Sequence, residues 1–81
     1  MRALYTAKFT RQLDAAPANV QRAFRKQLSL LLQNLRYPSL QAKKYEQTRN
    51  LWQARTNDDR RFYFTIEGDV YILRTIRSHP K

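Results

Sequence analysis

The sequence predicts an α+β domain in which a helix hairpin packs on one face of a small antiparallel sheet, in the order β-α-α-β-β-β. Apolar residues recur at helical spacing in the first half of the chain, and the spacing changes to two from Leu51 onward. With 81 residues, the chain has the size of one domain around one core. We therefore expect a single domain over residues 1–81.

The first half of the chain is predicted to form a short strand and two helices. Residues 2–5 have the character of a strand, and Thr6 can cap a helix that places Phe9 and Leu13 on one face. Pro17 fits the first turn of a second, longer helix. The apolar positions of this helix follow the helical period and are Val20, Phe24, Leu28, Leu31, Leu32 and Leu35.

The segment between the second helix and the later strands is predicted to be an exposed loop. Pro38 and Ser39 end the helical pattern. Residues 41–50 then show no clear hydrophobic period, and they carry three basic side chains. A basic loop is expected there, with Lys43 and Lys44 bordering the sheet.

The second half of the chain is predicted to form three antiparallel strands, because aromatic and β-branched residues alternate with polar ones. These strands have the sequences LWQAR, RRFYFTI and VYILRTIR. One turn is expected at residues 57–59. The other is expected at residues 67–69, where Gly68 can adopt a positive φ.

Alternation along the strands assigns two faces to the sheet. The residues expected to face the helices are Trp52, Ala54, Phe62, Phe64, Ile66, Ile72 and Ile76. The open face is expected to present Gln53, Arg55, Asn57, Arg61, Tyr63, Thr65, Thr75, Arg77 and His79. Arg74 breaks the pattern, because it falls on the side of the helices, and we expect it to point outward at an edge.

The charge of the chain indicates a polyanionic partner. Sixteen Lys and Arg against six Asp and Glu give a formal net charge of +10. The chain contains neither an apolar run long enough to span a bilayer nor the pattern of a secretory signal, so a cytoplasmic location is expected and no membrane partner. Without cysteine, disulfides and thiol catalysis are excluded. One histidine and few acids predict neither a metal site nor a cofactor.

The open face suits a single RNA strand. Arginine binds phosphates through paired hydrogen bonds, and an aromatic ring or a guanidinium plane can stack on an unpaired base. The alternative is that these arginines only keep an exposed sheet face soluble. His79 is the candidate for proton transfer, because imidazole is the side chain that titrates near neutral pH, although a histidine in a terminal segment is often a bystander.

The segment LWQARTNDDRRFYFTIEGDVYILRTIRSHP resembles the C-terminal half of RelE/ParE-superfamily toxins. There, a hydrophobic-aromatic pair, an arginine, a turn, an arginine-aromatic strand and a final strand follow in the same order. The segment LRYPSLQAKKY is similar to the turn that follows a leucine-rich helix in the family. The resemblance extends over nearly the whole chain and implies a RelE-like fold.

The resemblance also implies an activity. Toxins of the RelE and YoeB-like branch cut messenger RNA on the ribosome, with the RNA 2′-hydroxyl as the nucleophile and without a metal. They are held inactive by an antitoxin protein encoded beside them. The implied partners of this chain are therefore ribosome-bound mRNA and a cognate antitoxin.

The resemblance assigns roles to individual residues. Arg61 matches the catalytic arginine that opens a strand, Arg55 matches the arginine of the preceding strand, and His79 stands where YoeB-like toxins have a catalytic histidine. Because Pro80 follows His79 where those toxins have a tyrosine, Tyr63 is a further candidate for the proton-transfer step. The residues expected to bind or position RNA are Lys43, Lys44 and Arg77, and Glu46 is a candidate general base.

Two other functions are compatible with the same sequence. ParE-like toxins use this scaffold to inhibit DNA gyrase and cleave nothing. A non-catalytic RNA-binding domain would keep only the basic face.

Overall fold

The computed structural model describes residues 1–46 and 50–78, with the side chain of Glu46 left aside. The predicted fold class is confirmed: two helices pack against one mixed sheet. The elements are β1 (Arg2–Tyr5), α1 (Ala7–Asp14), α2 (Ala18–Gln33), a short 3-10 helix (Pro38–Leu40), β2 (Lys43–Glu46), β3 (Leu51–Arg55), β4 (Arg60–Glu67) and β5 (Val70–Ser78).

The sheet has the strand order β1-β5-β4-β3-β2. β1 pairs with β5 in parallel, and the other pairs are antiparallel. The expectation of a loop over residues 41–50 is wrong for Lys43–Glu46, which pair with β3 as an edge strand. The hydrophobic pattern misses this strand because its residues are polar or exposed, and it is held through backbone pairing at an edge.

Helix α1 is tied to the sheet at both of its ends. The predicted N-cap is confirmed, since the Thr6 hydroxyl accepts a hydrogen bond from the Phe9 amide at 3.2 Å and donates to the Leu73 carbonyl at 2.8 Å. Further along the helix, Gln12 Oε1 accepts from the Ile76 amide at 2.9 Å and from the Thr75 hydroxyl at 2.8 Å. The helix thereby covers the part of the β5 edge that extends beyond β1.

The core lies between the helices and the sheet. Its fully buried large side chains are Phe9, Phe24, Leu31, Leu40, Phe62, Phe64 and Leu73. The predicted apolar stripe of α2 is confirmed at Val20, Phe24 and Leu31, whereas Leu32 lies on the exposed side. No helix in the described part of the chain is long and apolar enough to cross a membrane.

A β-bulge in β5 changes which side chains face the core. The pairing shifts between Tyr63 and Phe64, so that Arg74 has no partner position on β4. Before the bulge the alternation is inverted: Tyr71 and Leu73 are buried in the core. The prediction that Ile72 faces the helices is therefore wrong, because Ile72 pairs with Thr65 on the open face. Arg74 is exposed, as expected, and its Nε donates to the Thr65 hydroxyl at 3.1 Å.

The turn between β4 and β5 confirms the prediction made for Gly68. Its φ is +59°, and Asp69 has no positive φ, which is the pattern of a type II′ hairpin turn. A two-residue turn of this kind joins Glu67 directly to its partner Val70.

Candidate nucleic-acid interface

Three arginines lie side by side across the open face of the sheet. Arg55 on β3 pairs with Arg61 on β4, and Arg61 pairs with Arg77 on β5. We call these three residues the arginine row. Paired positions on neighbouring strands share a face and have Cβ atoms about 5 Å apart, so the row concentrates positive charge at one end of the sheet.

The turn between β3 and β4 orients two members of the row. Asn57 Oδ1 accepts hydrogen bonds from the Asp59 amide at 3.0 Å and the Arg60 amide at 2.9 Å, which fixes the turn. Arg61 then donates through Nη1 to the Asn57 carbonyl at 2.6 Å and the Arg60 carbonyl at 2.9 Å. Its guanidinium is therefore held in place by two backbone carbonyls.

Arg55 is held by two different contacts. Its guanidinium forms an ion pair with Asp58 on the same turn. From below, the buried Gln27 on α2 donates through Nε2 to the Arg55 carbonyl at 2.7 Å and to the Ser39 carbonyl at 2.9 Å. The Ser39 hydroxyl donates back to Gln27 Oε1 at 3.3 Å. Gln27 thus joins helix α2 to the strand end that carries Arg55.

The role of Gln27 was not predicted, although the sequence contains a signal for a buried polar residue at this position. The residue occupies a position of the α2 apolar stripe between Phe24 and Leu31, and it is only 5% exposed. A polar side chain at a buried helix position requires hydrogen-bond partners. Its partners lie on β3 and the 3-10 helix and could not be identified from helical spacing.

Next to the arginine row, a stack of polar and aromatic side chains covers the centre of the open face. Gln53 Nε2 donates to the Tyr63 hydroxyl at 2.9 Å, and both side chains are buried. Arg77 Cζ lies 4.5 Å from the centre of the Tyr63 ring, a cation–π contact. Tyr45 packs edge-on against the same ring, with 5.1 Å between ring centres. We call Gln53, Tyr63, Tyr45 and Arg77 the tyrosine stack.

This environment changes the interpretation of Tyr63. The residue is 2% exposed, and its hydroxyl already accepts the Gln53 hydrogen bond. With so little exposure, the phenol is closed to a reacting oxygen in this arrangement. Tyr63 therefore lies where it can position Arg77.

The two lysines predicted to border the open face lie on opposite faces of β2. Lys43 pairs with Gln53 and so shares the open face with the tyrosine stack. Lys44 pairs with Trp52, and its Nζ lies 5.9 Å from the centre of the indole ring on the helix side. The joint assignment of Lys43 and Lys44 to one surface is wrong, because successive residues of a strand alternate.

Two sequence-predicted residues lie outside the described part of the chain. They are His79 and, for its side chain, Glu46. The structure brings Arg55, Arg61, Arg77, Tyr63 and Lys43 together on the open face. Within the described ranges 1–46 and 50–78, no cluster of three or more His, Cys, Asp or Glu could hold a metal ion.

The opposite end of the open face carries exposed apolar side chains beside two charged ones, and we call it the apolar end. A shallow pocket of about 260 Å³ lies there, lined by residues of β1, β4 and β5, namely Arg2, Ala3, Leu4, Glu67, Val70 and Ile72. Leu4 is 55% exposed, which is high for a leucine on a sheet. This apolar end adjoins the β1 edge of the sheet.

The fold that these elements define is similar to that of several small toxins of known structure. A search of solved structures matches the YoeB/ParE toxin from Agrobacterium tumefaciens with a TM-score of 0.82, at 12% identity over 99% of this chain and 100% of that one. It also matches YafQ from E. coli, with a TM-score of 0.78 at 12% identity over 95% of this chain and 91% of that one.

A third match is the toxin–antitoxin complex of RelE and RelB from Methanococcus jannaschii, with a TM-score of 0.75 at 19% identity over 93% of this chain and 88% of that one. Neither a family model nor a curated protein matches the sequence. The fold implied by the sequence resemblance is thus confirmed by structural similarity, at low identity.

Proposed function

We propose that this protein is the toxin of a toxin–antitoxin system and acts as a ribosome-dependent endoribonuclease. The observation that carries the proposal is the arginine row, which lies beside the tyrosine stack. The turn at residues 56–59 and the Gln27 side chain hold the row in place. A net charge of +10 on a chain of this size favours a nucleic-acid ligand over a neutral one. The toxin fold supplies the second support.

The proposed reaction is an attack of an RNA 2′-hydroxyl on the adjacent phosphate. The 2′-oxygen forms a new bond to phosphorus as the bond to the 5′-oxygen breaks, which leaves a 2′,3′-cyclic phosphate and a free 5′-hydroxyl. A proton leaves the 2′-oxygen, and another is delivered to the 5′-oxygen. No metal or cofactor is needed for this balance.

Each member of the row has a role in this reaction. Arg61 stabilises the charge that develops on the scissile phosphate, because its guanidinium is fixed by two backbone carbonyls before the substrate arrives. Arg55 and Arg77 position the neighbouring phosphates, with Lys43 as an additional contact. His79, which lies outside the described residues, remains the proposed proton-transfer group.

The test is to add purified protein to a translating extract and to map the 5′ ends of the messenger. We expect new ends within translated codons, 5′-hydroxyl and cyclic-phosphate termini, and no cutting of the same RNA without ribosomes. A ParE-like toxin would leave the messenger intact and block supercoiling by gyrase in a parallel assay. Intact messenger at protein concentrations that stop translation would refute the nuclease.

The proposal includes an antitoxin as a partner. Such a partner has to neutralise the basic surface and cover exposed apolar side chains such as Leu4 and Leu32. An acidic segment that folds along the toxin could do both. Because it binds only the folded chain, it should raise the melting temperature. Co-expression with the neighbouring open reading frame tests this. If that product neither copurifies nor stabilises the chain, and expression of the chain alone leaves growth unchanged, the toxin proposal is wrong.

A further inference from the structure

We propose that Tyr45 is a stacking platform for one base of the bound RNA strand, and that the tyrosine stack below it sets the position of that base. The inference rests on the proposed function, because it requires a single-stranded RNA ligand. It assigns base binding to one particular side chain of the open face, whereas the roles proposed above for Arg55, Arg61, Arg77 and Lys43 are contacts to phosphates. The site takes a nucleobase and is indifferent to its hydrogen-bonding edge.

The side chains below Tyr45 are buried and hydrogen-bonded to each other. Tyr63 is 2% exposed and Gln53 is 6% exposed, and the Gln53 amide is bonded to the Tyr63 hydroxyl at 2.9 Å. The Tyr45 ring meets the Tyr63 ring at an interplanar angle of 74°, an edge-to-face contact. Tyr45 therefore has a fixed neighbour on one side.

The Tyr45 side chain itself is half exposed to solvent. It is 50% exposed, although an aromatic ring on a strand ordinarily contributes by burial. The β2 pairing shifts between Lys44 and Glu46, and this bulge leaves Tyr45 without a partner position on β3. Bulges at sheet edges commonly redirect a side chain. Here the ring lies on the open face, next to Tyr63.

Positively charged side chains lie close to Tyr45 and Tyr63. Lys43 lies two residues earlier on the same face of β2, and Arg77 packs on the Tyr63 ring at 4.5 Å. Lys43 thus precedes the exposed ring on its own strand, and Arg77 contacts the Tyr63 ring against which Tyr45 packs, on the face that also carries the arginine row. Aromatic rings between cations are the combination that holds single-stranded nucleic acid without reading its sequence.

Tyr37 provides a matched control. It is 42% exposed and lies in the loop after α2, where the pocket around it is lined by Leu35, Arg36, Pro38, Gln41 and Ala42. It therefore has the same side chain, similar exposure and a basic neighbour, but it lies outside the sheet face. A general effect of removing a surface tyrosine should appear equally at both positions.

The experiment measures the binding of a short fluorescein-labelled oligonucleotide in which 2′-deoxy sugars prevent cleavage. We expect Tyr45→Ala to weaken binding about 5- to 150-fold, the range that corresponds to base stacking on an aromatic side chain. Tyr45→Phe should stay within about twofold of the parent, and so should Tyr37→Ala. Because no phosphate contact is lost, the slope of log K against log salt should be the same for Tyr45→Ala and the parent.

A series of oligonucleotides with one abasic site each then identifies the base. The penalty of Tyr45→Ala should disappear for one abasic position and persist for the others, the signature of a pairwise contact in a double-mutant cycle. Circular dichroism establishes that each variant is folded. Unchanged affinity of Tyr45→Ala, or a penalty that persists for every abasic oligonucleotide, would overturn the inference. Failure of the parent protein to bind any of the oligonucleotides would overturn the inference as well, whereas failure to cut ribosome-bound messenger would instead refute the proposed function.

Discussion

The two ends of the open sheet face differ in chemistry, although they lie on the same strands. One end carries the arginine row, and the other carries Leu4, Val70 and Ile72 around a shallow pocket. The two ends are about 20 Å apart along β4, at a rise of about 3.3 Å per residue. The arginine end is fixed by hydrogen bonds from a turn and from Gln27. Near the apolar end the polar contacts are different ones: Arg74 Nε donates to the Thr65 hydroxyl at 3.1 Å, and Asn50 Nδ2 donates to the Ile66 carbonyl at 3.3 Å.

This difference indicates two kinds of contact on one face. The arginine end requires negative charge on its ligand, because it presents cations that backbone carbonyls and an aromatic ring hold in place. At the apolar end, binding is favourable when a partner removes apolar surface from water. RNA satisfies the first requirement, and a protein segment is better suited to the second.

The largest effect is expected from removing the centre of the arginine row. Arg61→Ala should reduce cleavage of ribosome-bound messenger on the order of a hundredfold or more, with a much smaller loss of RNA affinity, because the group acts on charge in the transition state. The control is Arg2→Ala, an exposed arginine at the apolar end. Equal losses in both variants would show that the two ends do not differ in function.

A smaller effect is expected from removing the support of the row. Gln27→Met keeps the length of the side chain but leaves the carbonyls of Arg55 and Ser39 without their donor. We expect a loss of about 1–3 kcal/mol in the free energy of unfolding, measured in urea. Gln33→Met, at the exposed end of α2, should change stability by less than about 0.5 kcal/mol. Equal stability of the two variants would contradict a structural role for Gln27.

At the apolar end, the turn residue Gly68 should be sensitive to a single added methyl group. The space around a Cβ at this position is open, so only the backbone conformation resists the change. Gly68→Ala should lower the free energy of unfolding by about 1–2 kcal/mol, because the φ of +59° is unfavourable for a residue with a Cβ. Asp69→Ala is the control in the same turn. Cleavage should remain close to the parent rate, and a strong loss of cleavage would mean that the two ends are coupled.

The smallest expected effect is a difference in RNA binding between variants of Lys43 and Lys44 on β2. Lys43→Ala should reduce the salt dependence of single-stranded RNA binding by about 0.7 in the slope of log K against log salt, the value for one phosphate contact. Lys44→Ala should leave the slope unchanged, because Lys44 lies over Trp52 on the other face. Identical slopes for both variants would remove Lys43 from the proposed interface.

Much of the fold could be predicted from the sequence because local signals agreed. The helix cap at Thr6, the apolar stripe at Val20, Phe24 and Leu31, and the turn at Gly68 each follow from a short stretch of chain. Strand β2 could not be predicted, since its stability comes from pairing with β3 and not from its own pattern. The β5 bulge was missed for the same reason, and with it the true face of Ile72.

The candidate site shows the same limit. Arg55, Arg61 and Arg77 were correctly predicted to share a face. Arg77 lies after the β5 bulge, where the alternation of side chains matches that of β4. The separation of Lys43 from Lys44 required knowledge that they belong to a strand. The contact between Gln27 and the Arg55 carbonyl joins residues 28 positions apart and leaves no local trace beyond a polar residue in an apolar stripe.

The parallel pairing of β1 with β5 has a consequence for how this chain folds. The Thr6 hydroxyl bonds to the Leu73 carbonyl, 67 residues away, so the first strand gains its neighbour only when nearly the whole described chain has been assembled. Closing a loop of that length costs about 4 kcal/mol in chain entropy, and high sequence separation slows folding. During synthesis, β3 and β4 can pair early, but β1 has to wait for β5. A nascent chain that lacks β5 cannot complete the arginine row, since Arg77 is part of that strand. We therefore expect the basic surface to assemble late, after the helices and the β3–β4 hairpin.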